Sequence, residues 1–175
     1  MSTKTHDNQR LQYIDFALSY GLQHAIGIEV SQIAFDNRTY LKCMFGCGGS
    51  RPGTLCHSQP GRIKPWEYEP MLRRYAWGIL LHANDNRLVQ KAALSLEGKA
   101  FHDGYYFAFS LSDCDLCGDC ARWKGKPCAH ETDVRPSMHG AGIDVFKTVR
   151  ALGLPIEVLQ DEKAVQNCYA LVLIE

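Results

Sequence analysis

The chain has 175 residues, with 19 basic against 19 acidic side chains and eight cysteines. A formal charge of zero gives no field to recruit nucleic acid or an anionic membrane surface, and no segment approaches the roughly 18 consecutive apolar residues of a spanning helix. These limits leave one domain over residues 1–175, long enough to bury a core without staples, so metal is not the sole reason for it to fold.

The first stretch, MSTKTHDNQRLQYIDF, has no apolar run between a basic start and a small-residue cleavage site, which reads as a cytoplasmic protein. In that reducing compartment eight cysteines point to metal or redox chemistry rather than to disulfides. Leu11, Ile14, Ala17 and Leu18 recur at helical spacing within 8–20, and Gly21 stands where a left-handed residue stops a helix. Ile26, Ile28 and Val30 then alternate with Gly27 and Glu29, and Ile33 and Phe35 carry an extended run to the turn-prone Asp36-Asn37. A further extended piece is expected over 39–42. KCMFGCGGSRPGTLCHSQPGRIKP is too rich in Gly, Pro and Ser for regular structure and reads as a loop over about 43–65, a length compact domains seldom keep unless it binds something.

A short helix is expected over 66–75 after Pro65, and Trp77-Gly78-Ile79-Leu80-Leu81 has the pattern of a strand buried on both faces. Leu88, Val89, Ala92, Ala93, Leu96, Ala100 and Phe101 trace a wide helical stripe over 85–102, capped by Asn84 or Asp85 and stopped at Gly104. Tyr105 to Leu111 reads as an aromatic strand that delivers the chain into a second loop, about 113–136. Ile143, Val145, Phe146, Val149 and Leu152 mark a helix ending at Gly153, and 155–159 and 169–174 read as apolar strands. The alternation predicts an α/β or α+β fold with a single central mixed sheet, helices packed on it and two long cysteine-bearing loops.

The second loop contains SDCDLCGDCARWKGKPCAH, in which Cys114, Cys117 and Cys120 recur every third residue and Cys128 follows a short basic stretch. Cysteines at two-residue gaps cannot share one face of a regular helix or strand, but a loop can wrap them around a compact cluster. Iron and sulfide suit this spacing best, because the run resembles the bacterial ferredoxin pattern whose first three cysteines bind one four-iron cluster. It departs from that pattern in that seven residues rather than three precede Cys128, and Pro127 comes before the cysteine instead of after it. The fourth cysteine is therefore expected to serve the same 4Fe-4S cluster. Zinc is the rival, since it takes four thiolates too, usually from two separated C-x-x-C pairs.

Cys43, Cys47 and Cys56 offer three thiolates and no evident fourth, the set of a metal site with a position open to an outside ligand. Eight residues separate Cys47 from Cys56, which is not the C-x-x-x-C-x-x-C spacing of radical S-adenosylmethionine enzymes. His57 and Cys168 are weaker candidates for the fourth ligand, since most lone histidines are not ligands and a cysteine inside an apolar strand is usually a small buried hydrophobe. Arg51, Arg62, Lys64, Arg73 and Arg74 flank the first group and suit a small anionic substrate; Asp113, Asp115 and Asp119 surround the second and would favour an oxidised cluster. Each set equally suits a solvated surface. His130 and His139 are candidates for contacts that tune the second run, and Arg135-Pro136-Ser137 is expected to pack against its loop.

Four pieces together resemble the family called domain of unknown function 2284, described as predicted metal-binding proteins. They are the C-x-x-x-C then C group at Cys43, Cys47 and Cys56, LEGKAFHDGYYFAFSL from Leu96 to Leu111, the run from Cys114 to Cys128, and RPSMHGAGIDVFKT from Arg135 to Thr148. Where the family pattern has a cysteine followed by two prolines, this chain has Cys56-His57-Ser58. The resemblance covers nearly the whole chain and implies metal binding; the reaction has to be argued from the site.

The reading these residues support is a cytoplasmic iron–sulfur oxidoreductase with a closed 4Fe-4S cluster at Cys114, Cys117, Cys120 and Cys128. A second cluster or another metal is expected at Cys43, Cys47 and Cys56, with a redox partner protein and no nucleic acid or membrane. A non-enzymatic electron carrier or accessory module of a larger redox complex, and a zinc-bound structural protein, are the alternatives.

Overall fold

Two strands that are apolar at every position need cover on both faces, and that requirement organises the fold. The computed structural model describes residues 3–46, 61–161 and 163–175. The two strands are β2 (Trp77–Ala83) and β4 (Cys168–Leu173), buried along their whole lengths. With β1 (His24–Glu29) and β3 (Phe109–Leu111) they form a four-stranded sheet in the order β1-β2-β4-β3, antiparallel at every pairing.

The fold is therefore α+β, and the sheet is antiparallel rather than mixed. The reason lies in the last strand. The chain leaves β2, passes through α4 (Asn86–His102) and enters β3, which runs parallel to β2; β4 then slots between the two in the opposite direction. Alternation in sequence was legible, but which strands become neighbours depends on where the C-terminal strand inserts.

One face carries Trp77, Ile79, Leu81 and Ala83 of β2 and Ala170 and Val172 of β4, covered by Tyr13 and Ala17 of α1 (Thr3–Leu18) and by Val89, Ala93 and Leu96 of α4. The other face carries Leu80, Leu171 and Leu173, covered by Leu72 of α3 (Pro65–Leu72), the segment holding Met138, Ala141 and Ile143, and Val149 of α5 (Val145–Ala151). Asp85 caps α4 by accepting from the amides of Arg87 and Leu88. Among the described residues, no helix is long and apolar enough to cross a membrane.

Three local expectations change. The stretch expected to be extended over 39–42 is the start of α2 (Thr39–Gly46). The amide of Thr39 donates to the Asp36 carbonyl at 3.1 Å and the Asp36 carboxylate accepts from the Arg38 amide at 2.9 Å, which turns the chain into a helix that runs until Gly46. Segment 155–159 is not a strand: only Ile156 is buried, and both sides of β4 are already taken by β2 and β3. The Tyr169 hydroxyl instead donates to the Pro155 carbonyl at 2.5 Å, and burial holds its own pKa up at about 12. Only 109–111 of the aromatic run pairs, because the chain turns at Tyr105, whose carbonyl accepts from the Ala108 amide at 2.9 Å.

Gly78 marks the tightest approach in the sheet. A Cβ there would lie 2.5 Å from the Val172 carbonyl oxygen and 3.2 Å from the Leu173 Cα, both backbone atoms of the adjoining central strand. Gly78→Ala must push β2 and β4 apart, and is expected to cost about 2–3 kcal/mol in urea unfolding, the upper part of the overpacking range.

His82, 1 % exposed, lies between the rings of His24 and Tyr169. Its Nε2 is 2.9 Å from the Asn167 Oδ1 and its Nδ1 is 2.8 Å from the Nδ1 of His24. The neutral ring donates from Nε2 and accepts at Nδ1, whereas a protonated ring keeps the His24 contact only if His24 moves its own proton to Nε2 and accepts through Nδ1. Burial first, and then His24, pushes the His82 pKa below its ordinary value, while the Asn167 contact opposes them. Below about pH 6.5 the unfolded chain binds the proton that the folded chain excludes. Stability is full above that pH and is lost as pH falls towards the folded pKa, by at most about 1.4 kcal/mol per pH unit for one group. Denaturation midpoints between pH 7 and 5 should fall less steeply in His82→Gln than in the parent.

Candidate metal centre

The cysteine loop is closed at its neck. At the end of β3 the Ser112 amide donates to the Pro136 carbonyl at 2.9 Å, so 113–135 leaves and returns at one point. Glu97 of α4 locks both sides of that neck. Its Oε2 accepts from the Ser110 amide at 2.7 Å and the Ser110 hydroxyl at 2.5 Å, and its two oxygens accept from Arg135, with Nη2 to Oε1 at 2.6 Å and Nε to Oε2 at 3.0 Å. Arg135 also donates through Nη1 to the Thr132 carbonyl at 2.8 Å and the Val134 carbonyl at 3.2 Å. The pair is largely buried, with side-chain exposures of 18 % and 14 %. Arg135-Pro136-Ser137 thus packs against the loop as expected.

Two further residues of α4 hold the start of the loop. Arg87 Nε donates to the Asp115 carbonyl at 3.3 Å, with Nη2 3.7 Å from its carboxylate, and the Gln90 Oε1 accepts from the Asp115 amide at 2.6 Å. Arg87, Gln90 and Glu97 fall on one side of the helix, beside the apolar stripe. Lys124 pairs with Asp119, and Arg122 with Glu131. Asp115 and Asp119, expected to load the site with negative charge, are therefore each offset by a cation.

Cys114 reaches solvent, while Cys117, Cys120 and Cys128 are half-buried. Packing around Cys114 pushes its thiol pKa up, the Leu116 amide and the Gln90 side chain pull it down, and charge on Cys128 and Cys120 pushes it up again. Cys114 thus lies within electrostatic reach of Cys120 and Cys128. The His130 amide donates to the Cys128 Sγ at 3.4 Å, matching the Leu116 amide on Cys114: in both, the N–H two residues on turns back to the sulfur. Such N–H contacts favour the thiolate, the form that binds metal. Among the described residues no three His, Cys, Asp or Glu side chains form a ready cage. The donors nonetheless suit a thiophilic metal: soft sulfur ligands on one closed loop, with amide hydrogens directed at sulfur.

Of the first group, Cys43 is buried on α2; Cys47, Cys56, His57 and Arg51 lie outside the described residues. Lys64 stands 5.5 Å over the Tyr40 ring, which meets Trp66 edge-on at 5.4 Å, so α2 and α3 brace each other beside Cys43. Arg62 and Arg74 are exposed, whereas Arg73 bonds Glu69 at 2.7 Å and lies over Phe35, so its charge is already engaged. Segment 136–144 joins the neck of the second loop to the turn that leads into α2. Pro136 closes the second loop, while the Asp36 amide donates to the Gly142 carbonyl and the Asp144 amide to the Ala34 carbonyl, each at 2.8 Å.

Cys168 is buried at the start of β4, where burial, Asp113, Asp85 and Asp115 all push its pKa up, so it is a neutral thiol. It lines an open cavity of about 300 Å³ with Asp113, His139, Phe146, Glu157 and Tyr169. His130 serves through its backbone, and its Nδ1 lies 3.7 Å from Asp133. Gln90, Glu97 and Arg87 were not singled out from sequence. The available signal was that these polar residues recur on one side of a helix next to its buried stripe.

The model of the family domain of unknown function 2284, described as predicted metal-binding protein, matches residues 27–174. No curated protein and no solved structure matches the chain.

Proposed function

The chain belongs to this family of predicted metal-binding proteins, and from that premise we propose that it is a cytoplasmic iron–sulfur redox protein. Its 4Fe-4S cluster is held by Cys114, Cys117, Cys120 and Cys128. Supporting this is one arrangement: a loop closed at its neck, with thiols within electrostatic reach and a backbone N–H turned back onto the sulfur of Cys114 and of Cys128. When bound, such a cluster supplies one-electron transfer at a potential set by charge, solvent exposure and hydrogen bonds to sulfur. The chain's own part is to fix the loop through Glu97 and Arg135, to offset Asp115 and Asp119 with cations, and to direct N–H groups at sulfur. Cys114 and Trp123 are both exposed, and a redox partner protein would reach the cluster through this loop.

Cys43, Cys47 and Cys56 form the second metal site in this proposal, open to a small anionic substrate.

Anaerobic loading with iron and sulfide should give a broad visible absorption that bleaches with dithionite and yields a paramagnetic signal. Colourless protein that keeps tightly bound zinc instead would overturn the proposal in favour of a structural zinc site. Reversible reduction without any perturbation of the spectrum by small thiols or anions would leave the electron-carrier reading.

A further inference from the structure

Gln90 is 1 % exposed, and only one end of its amide is satisfied. Oε1 accepts from the Asp115 amide at 2.6 Å, which fixes which end is oxygen. Nε2 is buried at the other end and completes no hydrogen bond. It lies by the sulfur of Cys114, the residue directly before the Asp115 whose amide the same side chain holds. Folded proteins seldom leave a buried N–H₂ without an acceptor, so such a group calls for an explanation. A neutral thiol is a poor acceptor and a thiolate a good one, so the missing partner is present once Cys114 carries metal.

We infer that Gln90 is a positioning residue of the metal centre, donating an N–H···S hydrogen bond to the metal-bound Cys114 sulfur while its carbonyl holds the Asp115 amide. This rests on the proposed thiolate site and adds a residue to it. By holding the Asp115 backbone it sets the direction in which Cys114 presents its sulfur; by donating to that sulfur it withdraws electron density and stabilises the reduced cluster. Its place on α4, an element packed against the sheet, makes the donor rigid where the rest of the site is loop.

The experiment compares the parent with Gln90→Leu and Gln90→Glu in the full-length protein, loaded anaerobically with iron and sulfide, or with zinc. Gln90→Glu keeps the acceptor for the Asp115 amide but replaces the N–H₂ donor by a carboxylate, whereas Gln90→Leu removes the donor without adding charge, so a change shared by both reports the lost N–H···S bond rather than charge. Metal release to a chelator should speed up about 10–100-fold in both variants, the usual penalty for losing an outer contact to a ligand. With iron, the midpoint potential should also move negative, a change that loosening the loop alone does not require. Release and potential as in the parent for Gln90→Glu would overturn the inference, even if Gln90→Leu folds poorly. A parent protein that retains neither iron and sulfide nor zinc would overturn the underlying site, and this inference with it.

Discussion

Cys117→Ser is expected to abolish cluster retention: iron and sulfide in the anaerobically loaded protein should drop to background. Cys117 sits mid-loop, half-buried, with Cys114 and Cys120 three residues to either side. Serine has nearly the same shape but offers a hard, protonated oxygen where the metal needs a soft thiolate, and a four-iron cage lacking one thiolate is labile. Cys117 belongs to neither apolar core. The apo-protein's unfolding midpoint should therefore stay within about 0.5 kcal/mol of the parent's, as for surface substitutions generally. Cys168→Ala is the contrast, because its buried neutral thiol lies outside the ligand set and its loss should leave iron content unchanged. Undiminished iron and sulfide in Cys117→Ser would sink the four-cysteine assignment.

Glu97→Ala should be the most destabilising change at the neck of the loop, costing about 3–5 kcal/mol, the usual penalty for removing one partner of a buried ion pair. That is a large part of the roughly 5–15 kcal/mol that holds a domain folded. The substitution strands the Arg135 guanidinium and leaves the Ser110 amide and hydroxyl without their acceptor. A companion Arg135→Met removes the orphaned charge, so the double variant should recover part of the loss. Urea unfolding of the apo-proteins measures both. A cost below about 1 kcal/mol, the value of an exposed pair, would show that the neck is held by other contacts.

Much of the chain was legible locally, wherever one period dominates. The stripe from Leu88 to Phe101, with Asp85 as its cap, gave α4 almost to the residue, and the unbroken apolar runs gave β2 and β4. α2 was missed because Gly, Pro and Ser beyond Gly46 dominate the composition of that window, while the Asp36 turn that starts the helix is a side-chain hydrogen bond composition does not carry. The apolar stretch 155–159 shows the opposite error: β propensity makes no strand where a segment pairs with no neighbour, and this one is tied to β4 through the Tyr169 hydroxyl instead.

The sequence by itself determined α4, β2 and β4, the spacing of the two cysteine groups and the family, since each rests on a pattern within a short window. Tertiary structure alone decided that the sheet is antiparallel, because β4 enters between β2 and β3 from the far end of the chain. It also decided what surrounds the thiols. Gln90 meets Asp115 across 25 positions and Glu97 meets Arg135 across 38, and nothing in the local pattern distinguishes those side chains from ordinary polar residues on a helix. A cysteine spacing can be read from sequence because it is local, whereas the groups that hold the cysteine loop come from whichever element packs alongside.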